Sequence, residues 1–204
     1  MIGIDSFKQY FKGFENQYVI IGGTACELLM SDRELNFRAT KDIDMVLIVD
    51  ALSKEFGEMF WKYVQEAGYK HINKGSGKTE FYRFYEPQSS GYPEMIELFS
   101  KQQNWFLPKS DQNIVPIHVD DEISSLSAIL LDDHYYSFLK DGLTMIDGVS
   151  VLKAEHMIPF KAKAWTDLTK RKERGEHVDS RDIKKHKNDV IRLSMLLTQI
   201  TEIN

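Results

Sequence analysis

Ile21-Gly22-Gly23-Thr24-Ala25-Cys26-Glu27-Leu28-Leu29-Met30, followed by Arg38-Ala39-Thr40-Lys41-Asp42-Ile43-Asp44-Met45-Val46, is the stretch that decides how this chain folds. A glycine pair closes one apolar run, and two carboxylates flanking a single isoleucine open the next. Gly22 and Gly23 can bring bare backbone close to a phosphate, and Asp42 and Asp44 can hold the metal that neutralises it.

Working outward, residues 17–21 (Gln-Tyr-Val-Ile-Ile) are short, β-branched and stopped by glycine, which predicts a buried strand. A helix is expected over 24–30, and a second strand over 43–49, apolar enough to be covered on both faces. Upstream, Phe7, Tyr10, Phe11 and Phe14 recur at helical spacing. Downstream, Leu52, Phe56, Met59, Phe60, Tyr63, Val64 and Ala67 form the cleanest helical pattern in the chain, with Gly68 placed to end it. Strands follow over 78–85 and 94–99, with a turn rich in Pro, Ser and Gly between them and one more short strand expected over 113–119. Beyond residue 121 the pattern turns helical. One apolar face is carried by Ile123, Leu126, Ile129 and Leu130, another by Ile158, Ala162 and Trp165, and a third by Val190, Leu193, Leu196 and Leu197. A hairpin around Asp147-Gly148 is expected between them. The prediction is an α+β fold: a mixed β-sheet flanked by helices over residues 1–120, then a mainly helical C-terminal region, 121–204, packed on that core.

The chain has 204 residues, 42% of them hydrophobic and 28% charged, which suits a soluble globular protein with a sizeable core. No run approaches the roughly 20 apolar residues of a membrane-spanning helix. The N-terminus lacks a signal pattern, and the one cysteine, Cys26, permits no internal disulfide, so a cytoplasmic setting without a membrane partner is expected. A net charge of −5 argues against a general nucleic-acid coat protein. Basic residues nevertheless crowd 161–187: Lys161, Lys163, Lys170, Arg171, Lys172, Arg174, Arg181, Lys184, Lys185 and Lys187. A solvated helical face and a local site for the phosphates of a nucleotide or an RNA end both fit that cluster.

Asp42 and Asp44 lie two apart on the expected strand, so both side chains share a face. Two carboxylates so placed repel each other unless a cation sits between them, and magnesium suits such a site because it completes its octahedron with water and phosphate oxygens. The alternative is a pair of solvent-facing acids at a strand end. The glycine pair weighs against that alternative: it precedes a helix starting at Thr24, whose N-terminal N–H groups and dipole would face an anion, with the Thr24 hydroxyl adding a contact. A third carboxylate would complete a two-metal site, and Glu97 is the candidate. It stands among apolar residues, where a metal or a buried Arg or Lys would each satisfy its charge. Glu94 does not share Glu97's face and is the weaker choice.

The runs Gly22-Gly23-Thr24-Ala25 and Arg38-x-Thr40-x-Asp42-Ile43-Asp44 resemble the nucleotidyltransferase superfamily, and within it the AbiEii-like toxins of type IV toxin–antitoxin systems. Lys161 or Lys163, on the expected helix around 160–168, stands where that family has a functional lysine, and Asp182 where it has an aspartate. The third carboxylate is a glutamate and His186 stands where an acid is expected, two departures from the pattern. The resemblance implies transfer of a nucleoside monophosphate from an NTP to a hydroxyl acceptor. Asp42, Asp44 and Glu97 would hold one or two magnesium ions, with Glu97 alternatively the base. Gly22, Gly23, Thr24, Arg38 and Lys41 would bind the nucleotide. Lys161 or Lys163 would steady the triphosphate, with Asp182 orienting the lysine or touching the nucleotide. It further implies an RNA or tRNA end as acceptor and a cognate antitoxin as partner.

Two rivals remain: a small-molecule, antibiotic-type nucleotidyltransferase, and a non-catalytic domain that binds a nucleotide or a protein. An open basic groove would favour RNA, and a closed acidic pocket a cationic drug. The six histidines (71, 118, 134, 156, 177 and 186) show no zinc-ligand spacing. Cys26 reads as a small buried hydrophobe, and the tryptophans as core or pocket wall. Gly75-Ser76-Gly77-Lys78 lacks the spacing of a phosphate loop and reads as a hairpin loop near substrate.

Overall fold

The computed structural model describes residues 3–75, 80–100 and 133–197. Within them the elements run α1 (Ile4–Tyr10), β1 (Tyr18–Ile21), α2 (Gly22–Asp32), β2 (Asp42–Leu47), a 3-10 turn (Val49–Ala51), α3 (Lys54–Ala67), β3 (Lys70–Gly75), β4 (Glu80–Tyr85) and β5 (Met95–Ser100). After residue 132 come α4 (Asp133–Asp141), β6 (Leu143–Ile146), β7 (Val149–Leu152), α5 (Ala154–Glu173) and α6 (Ser180–Ser194). The seven strands form one sheet in the order β3-β4-β5-β2-β1-β7-β6, with β2/β5 and β1/β7 parallel and the other pairs antiparallel. The α+β fold is therefore as expected.

Alternation along the strands sorts the two faces of the sheet. Tyr18, from β1, packs its ring against Phe7, Phe11 and Phe56, while Phe84, from β4, meets Phe60 and Trp61. Helices α1 and α3 thus cover one face with aromatic rings, which dominate its burial. Helix α3 begins at Ser53, whose hydroxyl accepts the Phe56 N–H, and stops at Gly68, where a φ of 67° ends the helix as the sequence predicts. The opposite face receives α2, which packs against β1, β2, α5 and α6.

Two differences from the sequence expectation concern the edges of the sheet. Strand β3, Lys-His-Ile-Asn-Lys-Gly, was not expected: it holds a single strongly apolar residue and lacks the alternation of a buried strand. Among the described residues it is an edge strand paired with β4 alone, a position that does not require burial on both sides. It also confirms that residues 75 and 80 flank a hairpin, although the loop itself, 76–79, lies outside the described residues. At the other edge the expected hairpin forms, with positive φ at both Asp147 (49°) and Gly148 (80°). It does not stay among the C-terminal helices, because β7 pairs with β1 and extends the sheet. The strand expected over 113–119, the apolar face of 123–130 and the boundary near residue 120 lie outside the described residues.

Candidate active site

Register brings the acidic residues together. Ile21 pairs with Asp44, Asp44 with Glu97 and Glu97 with Arg83, which makes one row across β1, β2, β5 and β4. Asp42, two residues back on β2, shares that face. The row borders a cleft of about 400 Å³ whose lining also includes Gly23, Arg38, Lys41, Lys161, Lys185 and His186. Asp42, Asp44, Glu97, Arg38, Lys41, Lys161 and Gly23, all singled out in the sequence, therefore meet in one place.

The glycine pair is required by this geometry. Gly22 has a φ of 70°, and a Cβ there would come within 1.7 Å of Asp44 Oδ2. A Cβ on Gly23 would lie 3.0 Å from Thr40 Cγ2 and 3.1 Å from Arg38 Nη2. The Gly23 backbone N–H donates to the Asp44 carboxylate, so the start of α2 grips a side chain of the site itself. Thr24 departs from expectation: it is fully buried and does not line the cleft. Its hydroxyl donates to the Asp42 carbonyl and lies 3.1 Å from the Thr40 hydroxyl. Thr40 in turn donates its backbone N–H (2.8 Å) and its hydroxyl to Glu27. These bonds tie α2 to the segment carrying Arg38 and Asp42.

Asp44 and Glu97 hydrogen-bond one another. Burial, then the neighbouring Asp44 charge, pushes the Glu97 carboxyl up to about 8, although Arg83 opposes the shift. Arg83 donates to Glu97 Oε1 from Nε at 2.9 Å and from Nη2 at 2.7 Å. The alternatives for Glu97 were a metal or a buried cation, and Arg83 supplies the cation. Asp42 is also raised, by burial and by Asp44, and Asp44 is raised chiefly by burial. Among the described residues no group of three or more His, Cys, Asp or Glu converges as a metal cage. The donor set nonetheless suits magnesium, a hard cation that takes one or two carboxylates and fills its shell with water and phosphate oxygens. Crowded carboxylates held above their ordinary range are groups that a cation would relieve.

Behind the row lies a buried charge pair. Lys161 Nζ stands 3.1 Å from Asp189 Oδ2, with the two side chains only 2% and 3% exposed. Arg38 Nη2 reaches the same oxygen at 3.3 Å. Burial works against the charge on Lys161, but Cys26, Asp189 and Asp44 outweigh it, and the ammonium is held above the ordinary lysine value. Burial would raise Asp189, yet Lys161 and Arg38 hold it below the usual carboxylate range. Lys163 is exposed and pairs with Asp167 on its own helix at 3.1 Å, so of the two lysines only Lys161 enters the cleft. Asp182 sits in the first turn of α6 and does not line the cleft. Asp189, two helical turns later, holds the lysine instead.

The sequence reading missed Asp189 and Arg83, and named Lys185 only as one member of the basic cluster over 161–187. One feature pointed towards Asp189: it lies seven residues from Asp182, on the same face of α6. Arg83 was marked by its place opposite Glu97 once strands β4 and β5 are paired. Cys26 is fully buried and its thiol is pushed up to about 11, chiefly by burial, in keeping with a packing role.

No family model matches the chain, and no curated protein does. It is similar to the solution structure of the antibiotic-resistance factor ANT(2'')-Ia, with 12% identity over 95% of this chain and 86% of that one and a TM-score of 0.42. It is also similar to a crystal structure of an antigenic nucleotidyltransferase-like protein from Paracoccidioides brasiliensis, with 16% identity over 95% of this chain and 74% of that one and a TM-score of 0.43. Likeness this shallow transfers no function. No described helix is long and apolar enough to cross a membrane.

Proposed function

We propose that this protein is a magnesium-dependent nucleotidyltransferase that moves a nucleoside monophosphate from an NTP to a hydroxyl acceptor and releases pyrophosphate. The observation that carries this reading is the row Asp44–Glu97–Arg83 with Asp42, lining one cleft together with Lys161, Lys185 and Arg38. The acids of this lining suit a metal, and its cations suit a triphosphate.

Asp42 and Asp44 would hold the magnesium, which supplies neutralisation of the phosphate charge and a lower pKa for the attacking hydroxyl. Glu97, already poised in a range where it can take and return a proton, accepts the acceptor's proton. The acceptor oxygen forms its bond to the α-phosphorus as the bond to the bridging oxygen of the β-phosphate breaks. Charge developing on the pyrophosphate is met by Lys161 and Arg38, both held in place by Asp189.

An RNA end is the preferred acceptor over a cationic drug. Arg38, Lys41, Arg83, Lys161 and Lys185 outnumber Asp42, Asp44 and Glu97 among the described lining residues. A toxin role with a cognate antitoxin, and tRNA as the modified RNA, extend this proposal through the AbiEii resemblance of Gly22–Ala25 and Arg38–Asp44. The test is transfer of label from each of the four α-labelled NTPs to total RNA with magnesium, comparing wild type with Asp44→Ala. A discrete labelled RNA that disappears in the variant supports the proposal. NTP binding without label on RNA moves the acceptor to a small molecule, and no NTP binding refutes the enzymatic reading.

A further inference from the structure

His186 is used by neither the carboxylate row nor the Lys161–Asp189 pair. It stands on α6 one turn before Asp189, lines the cleft beside Lys161 and Lys185, and is only 6% exposed. Its Nδ1 is buried and has no hydrogen-bond partner among the described residues. Its Nε2 makes no hydrogen bond among the described residues and, unlike Nδ1, is not fully buried. An orphaned buried N–H is rarer and costlier than an orphaned lone pair, so the proton belongs on Nε2 and the bare lone pair on Nδ1. Burial, followed by the charges of Lys161, Lys185 and Arg38, with Asp189 opposing, pulls the imidazole down to about 3, so it stays neutral at physiological pH.

Building on the nucleotide-binding reading above, we propose that His186 is a binding residue whose Nε2–H donates to an anionic phosphate oxygen in the cleft. Two sources share that chemistry, the triphosphate of the NTP and a backbone phosphate of the RNA acceptor. A neutral donor beside Lys161 adds direction where the lysine adds charge, because one N–H on a fixed ring bonds one oxygen in one geometry. Such a donor does not switch with pH.

Three variants and one spectrum test this. His186→Gln keeps an N–H at the Nε2 position, His186→Asn moves it to the Nδ1 position, and His186→Phe keeps a ring with neither. Binding is measured with magnesium for tripolyphosphate, for each of the four NTPs, and separately for a single-stranded RNA oligonucleotide. His186→Phe and His186→Asn are expected to weaken binding on the order of tenfold, with H186Q restoring most of it. Loss confined to tripolyphosphate and NTP assigns the phosphate to the nucleotide, and loss confined to the oligonucleotide assigns it to the acceptor. In the wild-type protein, long-range ¹H–¹⁵N correlation should show the Nε2–H tautomer, a readout that needs neither ligand nor variant. An Nδ1–H tautomer, or a His186→Phe protein that binds every probe like wild type, overturns the proposal and leaves the nucleotidyltransferase reading intact. A wild-type protein that binds no NTP and no oligonucleotide overturns both.

Discussion

Asp189→Asn should be among the most destabilising single changes in the chain. The substitution keeps the size of the side chain and removes one charge, which leaves the Lys161 ammonium, 2% exposed, without its partner 3.1 Å away. Breaking a buried pair from one side costs about 3–5 kcal/mol, because the remaining charge is neither solvated nor paired. Asp44 still faces Lys161 and softens the loss, so the lower end, about 3 kcal/mol, is expected. For a chain of this size that is a fall of roughly 6–12 °C in Tm. Lys161→Met should cost less, since Asp189 retains Arg38 at 3.3 Å. The double variant Lys161→Met/Asp189→Asn should therefore be more stable than Asp189→Asn alone. With Asp189 gone, burial pulls the folded-state pKa of Lys161 below its unfolded value. The deficit of Asp189→Asn should then shrink as pH rises from 7 towards 10, where the folded lysine can shed its proton. Urea unfolding followed by circular dichroism measures all four proteins, with the slope checked for constancy. An Asp189→Asn protein within about 1 kcal/mol of wild type, or a double variant less stable than the single, would refute the account.

Gly22→Ala places a Cβ 1.7 Å from Asp44 Oδ2 at a φ of 70°, so we expect a loss of about 1–2 kcal/mol from backbone conformation alone. A displaced Asp44 should also weaken manganese binding, which paramagnetic resonance reads directly. Lys163→Ala should leave NTP affinity within about twofold of wild type, since its partner is a surface Asp167 on its own helix, whereas Lys161→Met should lower it markedly; titration with each NTP separates them. Glu97 has a folded-state pKa raised to about 8 from an ordinary 4.5. Its carboxyl binds more protons when folded than when unfolded across that window, so metal-free stability should fall as pH rises through it. Chemical unfolding at pH 5 and pH 8 should show this fall in wild type and a smaller one in Glu97→Gln, and magnesium at pH 8 should offset it.

Much of this site is legible in the sequence because its parts obey local rules. The glycine pair after an apolar run, the two acids at period two and the aromatic stripe of α3 each follow from backbone geometry or burial over a few residues. Gly68 and the Asp147-Gly148 turn are of the same kind, since positive φ selects those residue types. What escaped the sequence depends on pairing at a distance. Arg83 meets Glu97 only because β4 and β5 align in one register. Asp189 meets Lys161 only because α5 and α6 pack together, and no local pattern separates it from Asp182. Thr24 was misjudged for a related reason: a hydroxyl at a helix start serves an anion or the adjacent strand equally well, and here the strand took it. Strand β3 escaped because an edge strand can be polar.

The charge arrangement gives the C-terminal helices a role beyond covering the sheet. Asp44 and Glu97 are register partners on adjacent strands and hydrogen-bond one another, and carboxylates crowded in a buried cleft favour a shared proton or nearby cations. Arg83 supplies one to Glu97 from within the sheet. Among the described residues no ion pair reaches Asp42 or Asp44, even though Lys161 lines the same cleft. The reason is Asp189, which draws the Lys161 ammonium towards α6 and takes Arg38 at the same oxygen. Without that carboxylate the acidic charge left facing the buried lysine is that of Asp44. Helix α6 thus holds two cations beside the carboxylate row without pairing them to Asp42 or Asp44, which is the arrangement the proposed function requires. In the proposed function the strand-borne acid pair stays open because Asp189, on a helix distant in sequence, holds the lysine beside it.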